Sequence, residues 1–140
     1  MDVKTQNIEL TCKPDEMHDI TGQVERFLKE IGAREGCVVI FAIGSTCGIT
    51  TIEYEPGLSR DFPDMLDRIA PPGHYHHDAT WGDGNGHSHL RSSLVGTSFI
   101  APVLDGKLLN GTWQQIIFCS FDVRSRQRKV VLQFLGETTG

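Results

Sequence analysis

At 140 residues the chain has room for one domain, and that length buries a sizeable core without help from disulfides or metal. A formal net charge of −5 argues against bulk nucleic-acid binding, which rests on a basic surface. The polar start MDVKTQNIEL is no signal peptide, and no run approaches the ~20 apolar residues of a membrane span, so a cytoplasmic protein that works without nucleic acid or membrane is expected.

Residues 2–12 alternate, with Ile8, Leu10 and Cys12 on one face, and read as a half-buried strand. In the stretch 17–36, Ile20, Val24, Phe27, Leu28 and Ile31 form one helical stripe, with Asp19 or Thr21 to cap its start and Gly32 or Gly36 to close its end. His18, alone before that helix, reads as a surface or capping residue. CVVIFAI (37–43) is a short apolar run, read as a strand covered on both faces. ITTIEYE (49–55) is a second strand candidate, followed by the turn pair Pro56-Gly57. Phe62, Met65, Leu66 and Ile69 mark a short helix stopped by Pro71-Pro72.

Residues 73–93, GHYHHDATWGDGNGHSHLRSS, hold five of the six histidines. This crowding has three readings: a metal site, a set of acid–base groups working near neutral pH, or a solvated polar loop. His87 and His89 converge only on an extended or irregular backbone, since positions i and i+2 of a helix point apart. Gly82, Gly84 and Gly86 favour the irregular form, and His77-Asp78 stands ready to complete the site from the other end. HLRSSLVG is expected to be a brief helix ending at Gly96.

TSFIAPVL, KLL, TWQQIIFCSFDV and KVVLQFL follow as strands, with a hairpin turn at Asp105-Gly106 and a second hairpin tip at RSRQR. Arg124, Arg126 and Arg128 would share a face on a strand and grip phosphate, although a solvated tip explains them equally well. Thr112 and Gln114 flank Trp113 and lie on one side of the strand start. Glu53 can be aimed into a cleft or left exposed at a strand end. The cysteines Cys12, Cys37, Cys47 and Cys119 form no C-x-x-C pair and read as reduced thiols of a reducing compartment, three of them inside apolar or alternating runs. Several strands with two or three short helices make an α+β domain.

GSTCGITTIE, HHD, GHSHLRSSLVGTS, NGTWQQIIF and RKVVLQFLGE together resemble the YjbQ-like proteins, often described as secondary thiamine-phosphate synthases. The resemblance spans residues 3–137. It implies a compact α+β fold with a mixed, mainly antiparallel sheet, assembled as a homotrimer, with polar blocks meeting in a cleft near the subunit boundary. It also implies site positions. Glu53, His77, Asp78, His89 and Arg126 would be catalytic, and Ser93, Thr97, Thr112 and Gln114 would bind substrate beside Trp113, joined by Ser45; the histidine crowding itself points to His77, His87 and His89 as holders of a divalent zinc or magnesium ion. Many members carry His-Thr where this chain has Gly44-Ser45, and His87 is a histidine only in some. The implied reaction joins a pyrimidine diphosphate to a thiazole phosphate and releases pyrophosphate. The usual enzyme for that step is an eight-stranded barrel, larger than this chain can build. The alternatives are a metal-dependent hydrolase or transferase acting on another small phosphorylated metabolite, and a non-enzymatic trimer that binds metal or ligand.

Overall fold

A computed structural model describes residues 1–139. Eight strands and four helices follow one another as β1 (Asp2–Cys12), β2 (Met17–Asp19), α1 (Thr21–Glu30), β3 (Ala33–Ile43), β4 (Cys47–Ile52), α2 (Leu58–Ile69), α3 (His76–Trp81), α4 (Gly86–Val95), β5 (Ser98–Leu104), β6 (Lys107–Leu108), β7 (Gln115–Ser120) and β8 (Arg126–Thr138). The α+β class is as expected. The strands divide into a five-stranded sheet, β1-β8-β3-β5-β6, and a three-stranded sheet, β2-β7-β4. Every pairing among the described residues is antiparallel, so the implied mixture resolves into antiparallel ladders.

Alternation decides which side of each strand is dry. Val38, Ile40, Ala42, Val130, Leu132 and Phe134 point from the five-stranded sheet toward Ile116, Phe118, Phe27 and Leu28, forming the main core. The alternate residues of β7, Ile117 and Cys119, face the other way. They pack with Leu66 of α2 and Phe121 in a second, smaller core. The three-stranded sheet is therefore covered on both faces. The outer face of the five-stranded sheet is not: Phe41, Ile43, Ile100 and Leu104 are exposed there, Ile100 at 62%. CVVIFAI thus has one face in the core and one open, not two covered.

Helix α1 carries the stripe expected of it and ends where Gly32 takes a left-handed φ of +66°. Its flanks are shorter than the periodicity suggests. Met17–Asp19 pairs with β7 instead, and Gly36 lies within β3. Asp19 accepts from Thr21 N–H at 2.9 Å, so Asp19 and not His18 serves the helix start. The β5–β6 turn is as read, with Asp105 and Gly106 both at positive φ. Strand β4 stops at Ile52 rather than Glu55 because Glu55 caps α2 from outside, its carboxylate accepting from the N–H groups of Gly57 and Leu58. Three of the four free thiols (Cys12, Cys47 and Cys119) are buried. Among the described residues no helix is long and apolar enough to cross a membrane.

Candidate functional site

The histidine-rich stretch is not a loop throughout. Its first part coils into α3, held by Asp78. One carboxylate oxygen accepts from Tyr75 N–H at 3.4 Å, the other from Gly86 N–H at 3.0 Å. Asp78 thereby ties the start of α3 to the start of α4, and the glycines between them turn the chain back, Gly82 and Gly84 both at positive φ. The consequence is that His77 on α3 meets His89 on α4, ring centroids 4.4 Å apart.

His87 does not join them. Helix α4 is regular from Gly86, so His87 and His89 lie about 200° apart around its axis and cannot converge. His87 is buried, its Nδ1 without a hydrogen-bond partner. Burial pushes its pKa down, with the Arg91 charge adding to the effect. The ring is thus kept neutral inside the fold, and the expected ligand is instead a packing residue.

An open basin of about 440 Å³ lies in front of His77 and His89. Its far wall comes from the five-stranded sheet and the β3–β4 and β7–β8 loops: Gly44, Ser45, Thr46, Asp122, Arg126 and Arg128. Arg126 and Arg128 are two apart on β8, so they share a face. Arg124 precedes the strand and is exposed. Asp122, only 1% exposed, organises this wall. It accepts from Arg126 Nε at 2.8 Å, from Val123 N–H at 2.8 Å and from the Thr46 hydroxyl at 3.2 Å. The Thr46 oxygen in turn accepts from Arg128 Nη2 at 2.8 Å, while Arg128 Nε donates to Ser120 Oγ at 3.2 Å. Burial alone would raise the Asp122 pKa, but the Arg126 hydrogen bond, the Val123 N–H and the Arg126 charge outweigh it and hold the carboxyl below its ordinary range. Arg126 is anchored through Nε, which leaves the outer fork of its guanidinium turned to solvent.

The near wall gathers acceptors. With the Asn85 amide turned nitrogen-first, it donates to both Asp83 oxygens, at 3.1 and 3.2 Å, and to His77 Nε2 at 3.0 Å. An imidazole nitrogen and a carboxylate thus both face one amide nitrogen. His77, Asp78 and Asp83 bring ligand atoms within 4.8 Å of one another. A donor set of imidazole and carboxylate suits a divalent ion of the zinc or manganese type.

Ser45 lines the basin wall together with His77, His89 and Arg126. Asp78 borders the group and mainly shapes it. Ser93 is exposed one turn beyond His89, and Thr97 lies past the end of α4, its carbonyl accepting from Ala42 N–H; neither lines the basin. Glu53, Thr112, Trp113 and Gln114 gather elsewhere. Strand β4 begins beside the basin and runs six residues away before Glu53 follows it, roughly 20 Å on. Gln114 bonds Thr51 and Gly111 at that same far end. Within one chain the expected site is split in two. Asp83, Asn85, Thr46 and Asp122 were not singled out from the sequence. The glycine spacing hinted at the first two, whereas Asp122 had no signal.

Gly44 matters locally: a Cβ there would stand 2.9 Å from Cys47 Sγ and 3.1 Å from Arg128 Nη1. The space a side chain would claim is taken by the arginine. A larger groove, about 580 Å³, runs between α1 and the β5–β6 turn, but its charged groups are only Glu25, Lys29 and Lys107. Chemistry, not volume, singles out the histidine basin.

Comparison with known proteins is consistent across sequence and structure. The family profile for UPF0047 proteins of the YjbQ-like kind matches residues 6–137. The UPF0047 protein YugU of Bacillus subtilis is 38% identical over 136 residues, covering 96% of this chain and 99% of that protein. A UPF0047 protein of Archaeoglobus fulgidus is 38% identical over 126 residues, 89% of this chain and 95% of its own. Among solved structures, a YbjQ-like protein of unknown function from Sulfolobus solfataricus superposes with a TM-score of 0.87 at 30% identity, covering 97% of this chain and all of that one. A hypothetical protein from Aeropyrum pernix gives 0.84 at 33% identity over 94% of this chain and 99% of its own.

Proposed function

The chain belongs to the YjbQ-like UPF0047 family, and from that premise we propose that its histidine–arginine basin binds small phosphorylated substrates and performs a metal-assisted transfer of the thiamine-phosphate synthase kind. The observation that carries the reading is the meeting of His77 and His89 opposite Arg126, whose guanidinium fork is anchored on one edge and free on the other. Joining a pyrimidine diphosphate to a thiazole phosphate puts negative charge on a departing pyrophosphate. Arg126 is built to receive such charge: a planar pair of donors, fixed before substrate arrives, loses little freedom on binding. Arg128, buried behind it and held by Thr46 and Ser120, adds positive potential without needing to move. Ser45 offers a hydroxyl at the rim. His89 adds an imidazole on the basin wall that can hydrogen-bond a substrate oxygen.

The residues present fit a divalent ion. His77, Asp83 and Asp78 would hold it, since their ligand atoms lie within 4.8 Å of one another. Such an ion, when bound, neutralises phosphate oxygens and polarises the bond to the leaving group.

Assembly completes the proposal. The apolar outer face of the five-stranded sheet reaches the basin's rim, since Ile43 immediately precedes Gly44. A second exposed aromatic pair, Tyr54 and Trp113, sits at the far end beside Glu53 and Thr112. Two different apolar patches suit a head-to-tail ring better than a two-fold dimer, which pairs one patch with itself. A homotrimer built this way sets the Glu53–Gln114 end of one subunit against the basin of the next. A solitary chain would leave the basin without Glu53, and that split favours ligand binding alone as the second reading.

The deciding experiment is metal analysis of the purified protein followed by turnover with phosphorylated substrates, first the pyrimidine diphosphate and thiazole phosphate pair. Pyrophosphate release that depends on His77, His89 and Arg126 supports the transferase. Tight binding without turnover, in a protein of verified trimeric mass, supports the binding module.

A further inference from the structure

Beyond the basin lining, next to Arg126 along the sheet, the free edges of the two sheets come together, β1 from one and β2 from the other. Three ligand-type side chains meet there. Cys12 ends β1 facing the core, in register with Arg126. Glu16 sits just before β2, its carbonyl accepting from Ser120 N–H at 2.8 Å. His18, on β2, is in register with Phe118. Cys12 Sγ is 3.6 Å from His18 Nε2, and that nitrogen is 2.6 Å from Glu16 Oε1. Ligand atoms of all three lie within 4.8 Å of one another.

We infer that Cys12, Glu16 and His18 form a zinc site of their own, separate from the histidine basin, which clips the edge of one sheet to the edge of the other. The geometry favours zinc. With Zn–S near about 2.3 Å and Zn–N near about 2.0 Å, a tetrahedral site places sulfur and nitrogen roughly 3.5 Å apart. The 3.6 Å separation of Cys12 Sγ and His18 Nε2 already matches that edge. The carboxylate must retreat by roughly 0.7 Å to reach the corresponding nitrogen–oxygen distance. Glu16 and His18 have side chains about 30% exposed, so the carboxylate has room to move and the ion has a path in. The fourth position faces solvent and takes water.

Chemistry separates this site from the basin. A thiolate selects zinc over magnesium, whereas the basin offers only imidazole and carboxylate. Binding replaces the Cys12 thiol proton by the ion, and the His18 ring carries its remaining proton on Nδ1, leaving the Nε2 lone pair free to coordinate. Burial holds the apo thiol protonated, with Glu16 adding to that and the Arg128 charge opposing it. Zinc uptake therefore releases protons and strengthens as pH rises. Two negative ligands, Glu16 and the thiolate, neutralise the charge of the ion, so it can sit near the Arg128 guanidinium.

Cobalt(II) is the probe, because it takes zinc's tetrahedral sites and a thiolate bound to it gives a sulfur-to-metal charge-transfer band in the near ultraviolet. Titration of the metal-free protein should produce that band, and added zinc should abolish it. The band should persist in a His77→Ala/His89→Ala double variant. It should vanish in Cys12→Ser, and His18→Ala should weaken cobalt binding by about tenfold or more. Circular dichroism checks each fold. If Cys12→Ser fails to fold, His18→Ala, on the exposed edge, decides. Absence of the band from the wild type, its survival undiminished in His18→Ala, or its loss in the basin double variant overturns the assignment. The last result would tie thiolate ligation to the basin, so this site and the proposed catalytic one fail separately.

Discussion

Replacing Asp122 by asparagine tests the architecture of the arginine wall most directly. The substitution keeps shape and removes one charge. One amide atom can still accept from Val123 N–H, but the other becomes an NH₂ facing two donors, Arg126 Nε and the Thr46 hydroxyl. A hydrogen bond between charged partners is worth ~1.5–3 kcal/mol, and a neutral one ~1 kcal/mol. Arg126 is 44% exposed, so water recovers part of the first contribution. The net loss is about 2–3 kcal/mol. Unfolding entropy of roughly 2.1 cal/mol/K per residue converts this into a fall in Tm of roughly 7–10 °C for a chain of this length. The pH dependence has a definite sign. The folded pKa of Asp122 is depressed below 3.8, so its contribution is complete above that value and disappears as pH falls through the folded pKa. Urea midpoints of the two proteins should differ clearly at pH 7 and draw together toward pH 2. A gap that stays constant across that range, or no gap at pH 7, would refute the view that an ionised Asp122 holds the wall together.

Arg126→Lys should weaken inorganic pyrophosphate binding by roughly ten- to a hundredfold, the loss of one charge-assisted fork, while Arg124→Lys changes little; equal small losses by calorimetry would move the phosphate site elsewhere. Affinity of the basin for a divalent ion should fall as the solution is acidified, because protons compete with the metal for its ligands, and a flat profile from about pH 8 to pH 5 would count against histidine ligation. Light scattering should report about three times the 15.5 kDa chain mass, and Ile100→Glu, which puts a charge on the open sheet face, should shift it toward the monomer. A wild-type monomer would contradict the shared site.

Local pattern carried the fold a long way. The stripe on α1, the alternation of β1 and the Asp-Gly turn each express a period or a φ preference that a few adjacent residues determine. Boundaries failed where a side chain from outside the element intervened, as when Glu55 claims the first N–H groups of α2 and so ends β4 early. The candidate site was half legible. His77 and His89 were marked by crowding, and their meeting follows from the glycine turn between their helices. His87 was misassigned because the glycines before it suggested irregular backbone where α4 had already begun. Asp122 and Thr46 gain their meaning only from register: 76 residues separate them, and no periodicity relates positions that meet where the β4–β7 ladder ends.

Gly36 and Gly136 face each other across β3 and β8, and a Cβ on either would come within 2.7 Å of the other's Cα and 2.2 Å of a backbone oxygen. The two strands are therefore closer there than any side chain permits. Alanine at either position must push the ladder apart, and once apart it makes room for both. The second substitution should cost less than the first, because the space is already made, but each alanine still meets the strain of its own positive φ, +156° at Gly36 and +157° at Gly136. Sequence drift at one of these positions would meet a barrier that the other partly controls, although neither lines the basin.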